Sequence, residues 1–154
     1  MDFIRLTFDV LVLLVLVLAS ITDIKTRIVP PKYQYALAGV TAAHLAFLFI
    51  AKQTGEAIWC LATGALVFAV YIGVFLVFKT GIGGADTKVT SLMAAYLGWP
   101  QTIWFILAHA GVVLGYAAFK KIAKKENVKS VPLMPFLAAG YVITRAIWWI
   151  LHLV

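Results

Sequence analysis

The sequence predicts an all-α, polytopic membrane protein with six transmembrane helices in a single domain over residues 1–154. Three observations carry that prediction. First, 64% of the residues are hydrophobic, only 12% are charged, and the mean hydropathy is +1.00. Soluble domains are about 45–50% apolar and about 25% charged, so this chain has too few polar side chains to cover a water-facing surface. Second, the apolar residues fall into runs of the length a bilayer demands. Third, the basic residues segregate to one side of those runs. Helices are expected because a spanning segment must satisfy its own backbone polar groups.

The runs are Phe3–Thr22, Tyr33–Ile50, Ala57–Phe78, Val89–Trp99, Thr102–Phe119 and Leu133–Leu153. A spanning helix takes about 20 residues. The first run resembles a secretory signal, but Asp2 and Asp9 outweigh Arg5 before and within it. A signal peptide opens on a basic stretch, so a retained first helix is expected. The fourth run is short and spans only if its helix starts near Gly84; otherwise it is re-entrant. Charge decides between the two. With six spans, one side collects ten basic residues, from Lys25 to Lys129, and the other side holds Arg5 and Lys52. Basic residues mark the cytoplasmic side. A re-entrant fourth segment would move the lysine-rich loop across and erase the bias. Six spans with both termini outside is therefore the expected topology. The net charge of +7 follows from this bias and is no sign of nucleic-acid binding.

Six acids remain, few enough to take singly. Asp2 and Glu56 fall in the outer flanks and Glu126 in the lysine-rich loop, where water solvates them. Asp9 lies one turn beyond Arg5, and a helix-surface ion pair between them is expected. Arg145 lies inside the last span and needs a partner; Asp9 is one candidate. Asp23, in "SITDIKTRIVPP", ends the first span, and Asp86, in "KTGIGGADTKVT", opens the fourth. In the six-span topology these two reach the same depth at the cytoplasmic edge. Two carboxyls brought together there share one proton. The ionised member can activate a water while the protonated one hydrogen-bonds a scissile carbonyl. That chemistry needs no metal and no cofactor. The three histidines have neither the spacing nor the cysteine partners of a metal site, and the only cysteine is Cys60.

Gly81, Gly83 and Gly84 allow close backbone approach ahead of Asp86. Two plainer readings stay open at this point. Asp86 could cap a helix after a turn, and Asp23 could pair with Arg27 at i,i+4. Lys88 reads as a side chain reaching the interface, or as a counter-charge to the acids or to an acidic substrate residue; Arg27 has the same choice. Gly64, Ala65, Gly73, Gly111 and Gly115 would let another helix approach closely in the bilayer.

"GIGGAD" followed by Thr-Lys and a small-residue helix ending "YLGW" resembles the second aspartate motif of the type IV prepilin peptidases, the GxGD-type membrane aspartyl proteases. "DIKTRIVP", with Arg27 and Pro30, resembles their first aspartate motif, and "VPLMPFLAAGYVI" their last helix. Ala85 stands where a strict GxGD has glycine. Read as G-x-x-G-x-D with Gly81, Gly84 and Asp86, the motif is closer to the archaeal preflagellin and prepilin peptidases. The resemblance implies a catalytic pair of Asp23 and Asp86. It implies cleavage of a basic leader from prepilin-like or preflagellin-like precursors at the cytoplasmic face of the cell (inner) membrane. Only residues 23–32 join the first two spans, which leaves no room for the cytoplasmic CxxC insert of the larger bacterial enzymes. Peptidase without methyltransferase activity is expected, as in the short archaeal and Tad-type enzymes. Two other classes stay in play: a small proton-coupled carrier using the two acids as relays, and a non-catalytic pilus or secretion assembly factor.

Overall fold

The computed structural model describes residues 2–78, 84–123 and 133–153. The expected positions Gly81 and Gly83, and the lysine-rich stretch 124–130, lie outside them. The described residues form six α-helices: α1 (Asp2–Thr26), α2 (Pro31–Ile50), α3 (Thr54–Phe78), α4 (Gly84–Leu97), α5 (Gln101–Ala123) and α6 (Leu133–Leu153). Each helix packs against the next in sequence, as short connections require. The α1–α6 contact closes the bundle and an α2–α4 contact crosses it.

The turns follow from local chemistry. α1 runs through Asp23 and stops at Arg27, whose φ of 56° is left-handed. Its amide still bonds back to the Asp23 carbonyl at 2.9 Å. Pro30 then flanks α2 as its N-cap and Pro31 takes the first helical position, where a missing N–H costs nothing. A hydrogen bond of 3.1 Å between the Thr22 and Tyr33 hydroxyls ties the two helices across the turn. At the other end of the bundle Gly98, at φ +66°, ends α4. A Cβ there would lie 2.8 Å from the Cys60 sulfur, so both backbone and space require glycine.

Five helices, α1, α2, α3, α5 and α6, are long and apolar enough to cross a membrane. α4 is not among them. Its 14 residues extend about 21 Å at 1.5 Å per residue, against a hydrocarbon core of about 30 Å. It starts at Gly84, as a crossing would need, and ends at Leu97, short of the expected Trp99.

The reason for its weaker hydropathy is position. Val89, Thr90, Ser91, Met93, Ala94, Tyr96 and Leu97 are all buried. Val89, Met93, Tyr96 and Leu97 share one core with Val12, Leu16 and Ala19 of α1, Leu37 of α2, Phe105 of α5, and Met134, Leu137 and Tyr141 of α6. A helix surrounded by protein can carry Thr90 and Ser91 where a lipid-facing helix could not. The Ser91 hydroxyl donates to the Thr87 carbonyl at 2.7 Å.

Two glycines set how closely the helices approach. A Cβ on Gly64 of α3 would lie 2.5 Å from that of Ala95 on α4, and one on Gly140 of α6 would lie 3.1 Å from the His109 backbone of α5. Of the small residues expected to admit another helix, Gly64 is thus used inside the bundle, while a Cβ at Gly73, Gly111 or Gly115 would meet no other part of the protein within 4 Å.

Candidate active site

Asp23 sits in the last turn of α1 and is 5% exposed. Its Oδ2 accepts the backbone N–H of Met134 at 2.9 Å. Met134 is the second residue of α6, where amides have no partner within their own helix. The carboxylate therefore completes the N-terminus of α6, the end where a negative charge is favoured. This link joins positions 111 apart and was not foreseen from the sequence. The one available signal was a proline-bearing helix opening, "VPLMPFLAAG", which marks a helix start but not what covers it.

Asp86 lies in the first turn of α4, ahead of the apolar part of that helix, and is partly buried. It is the third residue of α4, not its N-cap, which corrects that alternative reading. Burial first, and then the charge of Asp23, push its carboxyl above the usual carboxylate range. The two acids thus sense one another electrostatically although α1 and α4 meet only within a larger core. Gly84 opens α4 with nothing within 4 Å of where a Cβ would stand. Lys88 is exposed one turn further on.

A groove of about 760 Å³ runs beside this end of α4. It is bounded by Pro31, Gln34 and Ala38 of α2, Gly64, Ala65 and Phe68 of α3, and Gly84, Ala85, Lys88 and Ser91 of α4. A second cavity of about 350 Å³ shares Phe68, Gly84 and Lys88 with it. Both reach the backbone immediately before Asp86. Among the described residues no three His, Cys, Asp or Glu side chains gather into a metal-binding group.

The remaining acids correct the sequence reading. Arg5 does not pair with Asp9. Its Nη2 bonds Glu56 Oε2 at 2.7 Å and Gln53 Oε1 at 3.0 Å, so Glu56 is half-exposed and paired, not simply solvated. Asp9 instead meets Arg145. Arg145 donates through Nε at 2.9 Å and also through Nη2 to Asp9 Oδ1. Tyr96 and Tyr141 donate to the same oxygen at 2.6 and 2.8 Å, and Arg145 Nη1 reaches Gln101 Oε1 at 2.7 Å. The i,i+4 expectation failed because Asp9 points into the bundle while Arg5 reaches across to the α2–α3 turn.

A family model described as the type IV leader peptidase family matches residues 10–119, a stretch that contains both Asp23 and Asp86. No curated protein and no solved structure matches the chain.

Proposed function

Because the chain belongs to the type IV leader peptidase family, a family of aspartic peptidases that process prepilin-like precursors, we propose that Asp23 and Asp86 are its catalytic pair. The chain is a multi-pass membrane protease. The observation that carries the finer reading is the pairing itself. Two buried or half-buried carboxyls, 63 positions apart, sit at one end of the bundle with the charge of one acting on the other.

The division of labour follows from their surroundings. Asp86, whose carboxyl is raised, holds the shared proton and donates it to the scissile carbonyl. Asp23, oriented by the α6 amide, accepts a proton from the attacking water. The gem-diol intermediate then collapses: the leaving amine takes the proton held by Asp23 as the peptide C–N bond breaks, and one gem-diol hydroxyl returns its proton to Asp86. All atoms balance with water as the sole co-reactant.

α4 is the sixth membrane-crossing element in this reading. Shielded by its neighbours, it places Asp86 at the cytoplasmic edge with both termini on the opposite side. The precursor's apolar helix lies in the groove between α2, α3 and α4, and its basic leader leaves past Gly84 into the cytosol. Small side chains at Ala38, Ala65 and Ala85 allow close helix approach. The connection between α1 and α2, residues 27–30, is too short for an inserted domain and supports peptidase activity without methyl transfer.

The test is cleavage of a co-expressed prepilin-like precursor in membranes, followed by loss of the leader on a gel. Wild type should cleave, and Asp23→Asn and Asp86→Asn should each abolish cleavage at unchanged protein level. A carrier or an assembly factor would show no cleavage, and an assembly factor would tolerate both changes in pilus assembly.

The pH dependence has a defined sign. Because Asp86 keeps its proton above the ordinary carboxylate range, cleavage persists through that range and falls on the alkaline side as Asp86 ionises. The folded state also binds a proton there that the unfolded chain has lost. The stability contribution of Asp86 therefore declines as pH rises through and above the ordinary carboxylate range. Asp86→Asn should flatten that decline in a thermal unfolding series.

A further inference from the structure

We infer that Asp9 is a positioning residue for the catalytic pair: by gathering Tyr96, Tyr141 and Arg145 onto one carboxylate oxygen, it fixes the register of α4 and α6 on α1 and so the approach of Asp86 to Asp23. The catalytic half of this inference rests on the peptidase reading above; the register half does not.

The helices are the first argument. Asp9 and Asp23 stand on α1, Tyr96 and Asp86 on α4, Tyr141 and Met134 on α6. The same three helices carry the groups at the other end: α6 donates the Met134 amide to Asp23 of α1, and Asp86 of α4 senses the Asp23 charge. The separations along them are 14, 10 and 7 positions, or about 21, 15 and 10 Å of helix. A slide or rotation permitted at one end is delivered to the other by a stiff rod.

The second argument is the kind of contact. Where α4 meets α3 it packs through small groups, Ala95 and the Ser91 backbone against Gly64; toward the core it presents Val89, Met93, Tyr96 and Leu97, which are apolar and not directional. Such surfaces allow close approach but resist sliding weakly. Hydrogen bonds of 2.6 and 2.8 Å from Tyr96 and Tyr141 to one oxygen are directional, and no bulk water replaces them at this depth. Arg145 alone would neutralise Asp9. The two hydroxyls exceed that need, and they come from the two helices whose placement matters. Setting register is the best-attested use of a buried polar group. A misplacement of about 1 Å at a reacting centre can cost about 10²-fold in rate, so a loose α4 is expensive.

The experiment uses the full chain in lipid. Nitroxide labels at Lys25→Cys on α1 and Lys88→Cys on α4, in a Cys60→Ala background, report the spacing at the dyad end by pulsed electron resonance. Kinetics are run on unlabelled protein. Tyr96→Phe keeps the ring, which lies 4.7 Å from that of His44, and removes only the hydroxyl. Asp9→Asn is the stronger variant. Both should broaden or shift the distance distribution. Tyr96→Phe should lower kcat about tenfold with KM unchanged, within the range that misplacement commands. Reduced stability alone would lower the amount of folded protein, not the kcat of what remains. An unchanged distance distribution in Tyr96→Phe overturns the register role. A broadened one with unchanged kcat overturns the positioning role. If wild type cleaves no precursor while the variants broaden the distribution, the peptidase reading falls and the register role stands.

Discussion

α1 carries two inward-facing carboxylates, and their surroundings are opposite. Asp9 is saturated: an arginine and two tyrosines donate to a single oxygen, and that arginine is itself held by Gln101. Asp23 accepts one backbone amide, from Met134, and its charge acts on a second acid, Asp86. Both are largely buried, at 9% and 5% exposure. On the proposed reading, burial therefore does not distinguish a structural acid from a catalytic one. Donors do. A carboxylate that gathers an arginine and two hydroxyls is held in place by them, whereas one that accepts a single amide keeps lone pairs for a further partner.

The difference can be broken in graded steps. The largest effect is expected at the dyad. Asp23→Asn and Asp86→Asn should each lower the cleavage rate by about 10³-fold or more, in line with the loss of a general acid or base, while Asp86→Asn leaves the thermal midpoint unchanged or higher. Initial rates on precursor in detergent, with a melt of the same sample, read both quantities.

Next comes the Asp9 end, where the order of effects reverses. Arg145→Met leaves a buried carboxylate without its cation, which should cost about 3–5 kcal/mol of stability. Asp9→Leu combined with Arg145→Met should recover much of that loss, because no buried charge remains. A denaturant titration of the three proteins checks the cycle, and an additive double mutant would show that the pair is not coupled.

A smaller effect is expected where α3 meets α4. Gly64→Ala brings a methyl to 2.5 Å from Ala95 and should cost about 1–3 kcal/mol, as overpacking does, with α4 displaced at the groove. Smallest of all is the half-exposed pair of Arg5 and Glu56. Glu56→Gln should change stability by less than about 1 kcal/mol, far less than loss of Arg145, although both pairs are short. Equal costs at the two sites would show that burial of the pair does not govern its value.

How much was legible in advance depended on the range of the interaction. Asp23 and Asp86 stood out because ionisable residues are scarce in an apolar chain and these two fall at span ends of equal depth. Arg145 declared its need for a partner for the same reason. The Arg5–Asp9 pair was misread because a spacing of four residues makes two side chains neighbours on a helix only if both point along the same face. Tyr96, Tyr141 and Gln101 gave no signal, since tyrosine and glutamine in a membrane helix are equally at home at an interface or in a core. Gly140 was missed because nothing in the local sequence says that the α5 backbone passes beside it.

By itself the sequence determined the membrane-embedded helical class, the positions of the helices to within a few residues, the sidedness expected of the loops and the two motif aspartates. These are set by hydropathy, charge bias and local backbone preference, which act over one helix or one turn. The tertiary structure alone decided that α4, the least hydrophobic crossing candidate, lies inside the bundle. It also decided that Asp23 completes the start of α6, and that Asp9 receives Arg145 together with two tyrosine hydroxyls. Those outcomes depend on which faces of distant helices meet, and that is fixed only when the whole bundle closes.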